Sequence, residues 1–206
     1  MVVRTRNALV EILILLVFST ALTSSASAQS DWQDVADEHA EQVEDAQQSA
    51  EDNPAWKQYA FTLDRLSAEG ELSFVDLARD EVPFVIFFWI TECPLCHLQL
   101  PLVQQLQDTI DQYSLDLRVV AINLDPVDKD ARQFYEEKGA TFELLFDSRA
   151  RYTDEAYHLN ELGCPLTYVF DSNGELVDYL TGYRAQLETA VLRMLEIEIP
   201  GQPQVR

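Results

Sequence analysis

The sequence has 206 residues, enough for one domain with a core of its own plus an extension. It carries 36 acidic and 14 basic residues, for a formal net charge of −22. This charge argues against nucleic acids and anionic membrane surfaces as partners. The same acidity fits either an organism living in high salt or an ordinary acidic secreted protein.

Residues 1–28 have the pattern of a secretory signal peptide. Arg4 and Arg6 make a basic start, residues 12–22 are a mainly apolar run, and residues 26–28 (Ala-Ser-Ala) form a small-residue cleavage site. The alternative is an uncleaved anchor, but the apolar run falls short of the ~20 residues that a span needs. Cleavage after Ala28 would leave 12 basic and 35 acidic residues, a net charge of −23. We therefore expect export to an oxidising compartment, where a dithiol can exist as a disulfide.

Residues 29–54 form an acidic segment that holds nine acidic residues and no Lys or Arg. Because its apolar residues are sparse and its charges repel, the segment favours a loosely ordered linker over a helical arm that binds a partner. We expect the folded domain to span residues 55–200 and residues 201–206 to be a tail.

The predicted elements of the domain alternate between strands and helices. Apolar runs predict strands at 59–63, 84–90, 116–123, 142–146, 167–170 and 176–180. Helical spacing predicts helices at 72–77, 93–110, 127–138, 152–159 and 185–196. The last two strands flank residues 171–174 (Asp-Ser-Asn-Gly), a hairpin turn. This order predicts an α/β fold with a sheet of mixed direction.

The stretch 84–101 contains a dithiol at the junction of a buried strand and a helix. A continuous apolar run leads into Cys93-Pro94-Leu95-Cys96, and leucines at helical spacing follow. The first N–H groups of a helix have no intrahelical partner and favour negative charge, so a thiolate is stabilised there. The pattern therefore predicts that Cys93 is the attacking sulfur and Cys96 the more buried resolving sulfur. Pro94 suits the first turn because its missing N–H would be unpaired anyway.

Three other interpretations of the cysteine pair remain. It could be a stapling disulfide, or half of a zinc site, which would need about two further ligands from Cys164, His39, His97 and His158. Residues 93–97 also read as C-x-x-C-H, the attachment sequence of a c-type haem. The buried strand before the pair and the order of the motifs after it favour the redox role.

An ordered set of motifs resembles the thioredoxin superfamily, and in particular its bacterial TlpA/ResA branch. Trp89 lies four residues before Cys93, Pro101 lies five residues after Cys96, residues 163–167 (Gly-Cys-Pro-Leu-Thr) match the cis-proline segment, and residues 168–177 match the closing hairpin. The resemblance covers roughly residues 55–197. It implies a thioredoxin-like fold, with a central mixed sheet flanked by helices and the CxxC at the start of a Pro-kinked helix.

The resemblance also implies roles for the segment around Pro165. This proline is expected to be cis and to face the CxxC, and the backbone before it to pair with a substrate strand. Cys164 in that preceding position is unexpected. It is either a small buried apolar residue or a third sulfur within reach of Cys93, able to form an alternative disulfide or a three-thiolate Cu(I) cage. Trp89 and Pro165 are expected to shape the docking groove.

Several neighbours of the cysteines depart from the family pattern. Glu92 replaces a common tryptophan and either opposes the thiolate or points to water. His97 can contribute partial positive charge near a thiolate. Phe87 and Gln99 stand where the family has carboxylates that move protons. A thiol peroxidase would place Thr91 three residues before the cysteine, whereas it lies two before.

The sequence therefore predicts an exported, periplasmic thiol-disulfide oxidoreductase that acts on protein cysteines. By resemblance the direction is reduction, for example of apocytochrome or metalloprotein thiols, with electrons from a membrane-bound donor. No cofactor is expected beyond the Cys93–Cys96 disulfide. The alternative is a soft-metal binding or delivery protein that uses Cys93, Cys96 and Cys164. The sequence does not predict the oligomeric state.

Overall fold

The computed structural model describes residues 54–201. The predicted signal peptide, the acidic segment up to residue 53 and the last five residues lie outside the described residues. The strands are β1 Thr62–Arg65, β2 Glu71–Ser73, β3 Phe84–Trp89, β4 Arg118–Asn123, β5 Glu143–Phe146, β6 Leu166–Phe170 and β7 Leu176–Thr181. The helices are α1 Pro54–Tyr59, α2 Phe74–Arg79, α3 Pro94–Tyr113, α4 Asp128–Lys138, α5 Asp154–Tyr157, α6 Leu159–Leu162 and α7 Leu187–Met194.

Seven strands form one mixed sheet in the order β2-β1-β5-β4-β3-β6-β7. β3, β4 and β5 are parallel, whereas β1, β2, β6 and β7 join by antiparallel pairing. Helices flank the sheet, so the predicted α/β, thioredoxin-like architecture is confirmed. Among residues 54–201, no helix is long and apolar enough to cross a membrane.

Strand β3 is buried on both faces, as its apolar run predicts. Side chains alternate across a strand, and here Phe84, Ile86 and Phe88 enter one core while the intervening side chains enter the other. Each fully buried side chain of this size contributes roughly 1.5–3 kcal/mol of hydrophobic stabilisation. The strand is therefore a rigid base for the segment that follows it.

Helix α3 begins at Pro94 and has Cys93 as its N-cap. Its C-cap is Ser114, whose backbone adopts the left-handed conformation. Pro101 lies inside the helix as predicted, where it removes one backbone hydrogen bond. The kink at this proline stays a prediction.

The helical spacing predicts a buried stripe at Leu98, Leu102, Leu106 and Ile110, and the structure confirms only its second half. Leu106 and Ile110 are buried, Leu102 is half-buried and Leu98 is 58% exposed. Each residue turns a helix by about 100°, so Leu98 points roughly opposite to the buried Cys96. The buried face runs through Cys96, Gln99, Leu100, Val103, Leu106 and Ile110.

Some predicted element boundaries were wrong. Tyr59 ends α1 instead of starting a strand, because its ring packs into an aromatic cluster 5.2 Å from the Phe170 ring. The predicted helix at 72–77 starts only at Phe74, after strand β2, and a capping box between Ser73 and Asp76 fixes that start. The predicted helix at 152–159 is interrupted at His158, where φ is +52°.

Candidate active site

The sheet register brings three chain segments to one edge. Trp89 at the end of β3 pairs with Asn123 at the end of β4, and Phe88 pairs with Leu166 at the start of β6. The segments that follow β3 and β4 and the segment that precedes β6 therefore meet. The segment after β3 carries Cys93 and Cys96, and the segment after β4 carries Asp125. The segment before β6 carries Cys164 and Pro165.

Cys93 and Cys96 are held together by the first turn of α3. The Cys96 backbone N–H lies 3.1 Å from the Cys93 sulfur and 3.0 Å from the Cys93 carbonyl oxygen. A sulfur at this position accepts from a backbone N–H at the helix start, where the helix dipole favours negative charge. Both cysteines are free thiols. The fold therefore places the Cys93 sulfur at a helix N-terminus, as its spacing predicts.

The two sulfurs differ in burial in the predicted sense. Cys96 is fully buried, whereas Cys93 is half-buried. Burial raises the pKa of the Cys96 thiol well above its ordinary value, and its hydrogen bond with Cys93 raises that pKa further. The Cys96 thiol therefore stays protonated, which suits it to the resolving step after Cys93 has formed a mixed disulfide.

Cys164 touches the nucleophile through its backbone. The Cys93 thiol donates to the Cys164 carbonyl oxygen over 3.6 Å, and the Cys164–Pro165 peptide bond is cis, as predicted. Burial raises the pKa of the Cys164 thiol to about 12, with smaller effects from Cys93 and Asp125. Pro165 is buried, and its carbonyl accepts from the Gly182 N–H at 2.8 Å. Whether Cys164 acts as a third redox sulfur stays a prediction.

His97 and Glu92 flank the cysteines differently. The His97 ring lies 2.5 Å from the Thr91 carbonyl oxygen, measured at Nε2, and packs 4.6 Å from the Phe134 ring. A carbonyl oxygen can only accept, so Nε2 carries the proton. Glu92 is exposed. The predicted effects of both residues on a thiolate remain predictions.

Trp89, which the resemblance places at the docking groove, is fully buried. Its ring packs 5.5 Å from the Phe134 ring and lines a cavity of about 170 Å³ between α3 and α4. A side chain with no exposed area cannot touch a docked substrate without rearrangement. In this structure Trp89 therefore lies in the core and supports the CxxC segment by packing.

Phe87 and Gln99, the two departures from the family's carboxylates, have structural contacts. Phe87 packs in the same core as Cys96. Gln99 is 1% exposed, and its side chain bonds both backbone groups of Arg184, accepting from N–H at 2.6 Å and donating to the carbonyl at 3.3 Å. Gln99 therefore ties α3 to the segment before α7.

Asp125 is a site residue that was not predicted. It is 4% exposed, and its carboxylate accepts from the Thr91 N–H at 3.0 and 3.2 Å. The Asn123 side-chain amide donates to this carboxylate and accepts from the Asp125 backbone N–H, both at 3.0 Å. A signal was available: a polar residue just after a buried parallel strand lies at the sheet edge where α/β proteins build their sites.

The metal interpretation gains no support from the geometry. Within residues 54–201, no group of three or more His, Cys, Asp or Glu side chains is arranged to hold a metal ion. The described residues therefore give no support to a soft-metal protein that uses Cys93, Cys96 and Cys164.

A dithiol at a helix start, beside a cis-proline loop in this fold, defines a thioredoxin-like thiol-disulfide oxidoreductase. A family model described as the AhpC/TSA family matches residues 57–179, more than half of the chain. The chain belongs to this family.

Individual relatives agree with that membership. The chain is 30% identical over 131 residues to thioredoxin-like protein YneN of Bacillus subtilis, covering 62% of this chain and 71% of the relative. It is 29% identical over 123 residues to thiol-disulfide oxidoreductase ResA of Oceanobacillus iheyensis, covering 59% of this chain and 62% of that one. A solved Chlorobium tepidum protein, provisionally named thiol:disulfide interchange protein DsbE, superposes with a TM-score of 0.56 and 25% identity over 66% of this chain and 89% of its own.

Proposed function

We propose that this protein is exported to the periplasm and there reduces disulfide bonds in other proteins. The observation that carries the thiol-disulfide exchange, whichever its direction, is the hydrogen bond from the Cys96 N–H to the Cys93 sulfur at the start of α3. It supports Cys93 as the nucleophile and the buried Cys96 as the resolving thiol.

The reaction proceeds in two exchanges. The Cys93 thiolate attacks one sulfur of a substrate disulfide, the substrate S–S bond breaks, and the other substrate sulfur leaves as a thiolate. Cys96 then loses its proton and attacks the Cys93 sulfur of the mixed disulfide. The substrate is released as a dithiol, and the protein carries a Cys93–Cys96 disulfide. Two electrons pass from protein to substrate.

The reducing direction is supported by the resemblance of the CxxC and cis-proline motifs to the TlpA/ResA branch, which implies a reductase.

The protein substrates and the electron donor are proposed from the periplasmic location. Apocytochromes and metallochaperones carry cysteine pairs that must be reduced before they bind haem or metal, and we propose such cysteines as substrates. Each turnover leaves an oxidised protein, so a donor must return two electrons, and we propose a membrane-bound one. The name of the ResA relatives, thiol-disulfide oxidoreductase, supports the chemistry, and residues 1–28 support export.

The midpoint potential of the mature protein tests the direction. We expect thiol trapping across glutathione buffers to give roughly −270 mV, the value typical of a thioredoxin reductant. A midpoint nearer roughly −120 mV would make the protein an oxidant and overturn the proposal. For export, N-terminal sequencing of protein from the periplasm should begin at Gln29; an intact N-terminus would contradict cleavage.

A further inference from the structure

The backbone N–H and the backbone carbonyl of Thr91 are each hydrogen-bonded by a polar or charged side chain. On one side the Asp125 carboxylate accepts from the Thr91 N–H with both oxygens, at 3.0 and 3.2 Å. On the other side the His97 ring donates to the Thr91 carbonyl oxygen. Thr91 lies two residues before the nucleophile, so both contacts act on the segment that carries Cys93.

Both of these side chains are themselves fixed. The carboxylate of Asp125 is 4% exposed and accepts from the side-chain amide of Asn123, which is fully buried. The ring of His97 packs 4.6 Å from the ring of Phe134 on α4. The two contacts therefore join the end of β4, the first turn of α3 and helix α4 to a single residue, Thr91.

We propose that Asp125 and His97 are positioning residues that hold Thr91 and thereby set the reduction potential of the Cys93–Cys96 pair. The turn between them and the nucleophile is short, because the Cys93 N–H bonds the Ile90 carbonyl oxygen at 3.3 Å. Holding Thr91 keeps the Cys93 sulfur on the Cys96 N–H, the contact that stabilises the thiolate.

The contacts of Asp125 and His97 with Thr91 matter mainly in the reduced protein. In the oxidised protein a covalent S–S bond joins the two cysteines, so their relative position depends little on Thr91. In the dithiol form only non-covalent contacts hold the Cys93 sulfur in place. Releasing Thr91 therefore destabilises the dithiol more than the disulfide, and the equilibrium with glutathione shifts toward the disulfide.

Two pairs of substitutions separate the effect of holding Thr91 in place from the effect of the side-chain charge. Asp125→Ala removes both the acceptor and the charge, whereas Asp125→Asn removes the charge and keeps an oxygen for the Thr91 N–H. His97→Ala removes the donor, whereas His97→Gln keeps an amide N–H that can reach a carbonyl. Removing a nearby negative charge favours a thiolate, so any effect of charge in Asp125→Asn runs opposite to the effect of position.

Asp147 offers a matched control. It is also a buried carboxylate after a parallel strand, 1% exposed, and it accepts from the backbone N–H groups of Tyr152 and Thr153 at 2.9–3.2 Å. These contacts lie in the segment after β5 and not in the CxxC segment. Asp147→Ala should therefore lower stability without moving the redox equilibrium.

The test is the glutathione equilibrium constant of the full chain and its variants, with the Cys93 alkylation rate at pH 7 as a second readout. We expect Asp125→Ala and His97→Ala each to shift the equilibrium about tenfold toward the disulfide, which corresponds to about 30 mV. The double variant should shift less than the product of the two, because both act on one residue. Asp125→Asn and His97→Gln should stay within about threefold of the parent, or shift oppositely for Asp125→Asn.

Equilibrium constants within twofold of the parent in both alanine variants would overturn the proposal. If only one alanine variant shifts the equilibrium, the other residue does not set the potential. If Asp147→Ala shifts the equilibrium equally, the effect is general destabilisation and the proposal is wrong. If Asp125→Ala does not fold, the exposed His97 still decides, because its replacement leaves the core intact. The parent's reversible disulfide, measured in the same titration, checks the oxidoreductase chemistry independently.

Discussion

The backbone N–H of Cys96 points at the sulfur of Cys93 from 3.1 Å away. One contact thus links the two reactive residues before any disulfide forms, and it assigns them unequal parts. Cys93 receives the helix N–H at a half-buried position, whereas Cys96 lies in the core with a raised pKa. This difference supports the proposal that the outer sulfur attacks and the inner sulfur resolves.

Replacing the inner sulfur should stall the reaction at its intermediate. In Cys96→Ser, Cys93 can still attack a disulfide but nothing resolves the product, so a mixed disulfide with the substrate accumulates. Non-reducing mass spectrometry after incubation with a disulfide-bonded peptide should show one equivalent of covalent adduct at Cys93.

The matched variant is Cys93→Ser, which keeps the inner thiol. It should form no adduct and reduce the peptide no faster than buffer, because Cys96 is buried and protonated. Equal adduct formation in both variants would contradict the assignment of roles.

The burial of Cys164 predicts a loss of stability at alkaline pH. Its pKa is raised from 9.0 to about 12 in the folded protein, so above about pH 9 the unfolded thiol ionises while the folded one keeps its proton. The unfolded state then binds fewer protons, and stability falls as pH rises. The contribution is fully present below pH 9 and is lost progressively toward pH 12, by at most about 1.4 kcal/mol per pH unit.

Urea unfolding of the reduced protein at pH 8, 9, 10 and 11 measures this slope. Cys164→Ala should show a shallower decline above pH 9 than the parent, although buried tyrosines such as Tyr168, with a pKa raised to about 12, keep part of it. Because the alanine cavity changes stability equally at all pH values, only the slope is diagnostic. Parallel curves for the two proteins would refute the prediction.

Gln99 should matter for stability more than for chemistry. Gln99→Leu removes two part-buried hydrogen bonds, to the Arg184 N–H and carbonyl, and at about 0.5–1.5 kcal/mol each their loss should cost about 1–3 kcal/mol. The control is Gln112→Leu, an exposed residue of the same helix, where the change should lie within about 0.5 kcal/mol. Equal unfolding free energies for the two variants would show that the Arg184 contacts contribute little.

The sheet and the dithiol were predictable because their signals are local. The apolar run of β3, the cysteine spacing and the cis-proline motif each lie within a few consecutive residues, and the structure places them as their patterns predict. The phase of α3 was not predictable from its leucines. It is set by which face meets the sheet, and Cys96 and Gln99 take inward positions that the leucine stripe does not mark.

The contacts around Thr91 could not be read from the sequence. Asp125 is separated from Thr91 by 34 positions, and the two meet only because β3 and β4 pair in parallel with Trp89 opposite Asn123. The role of His97 likewise depends on a partner on α4, Phe134, that no short motif includes. Spacing identifies the reactive residues, whereas strand register determines what holds them.

Disulfide mapping of the mature protein shows directly which cysteines form the redox pair. Protein equilibrated in a series of glutathione buffers is acid-quenched, alkylated, digested and analysed by mass spectrometry. We expect one reversible disulfide, Cys93–Cys96, with Cys164 recovered as an alkylated thiol at every potential. A Cys93–Cys164 disulfide as the main oxidised species, or no reversible disulfide at all, would contradict this expectation.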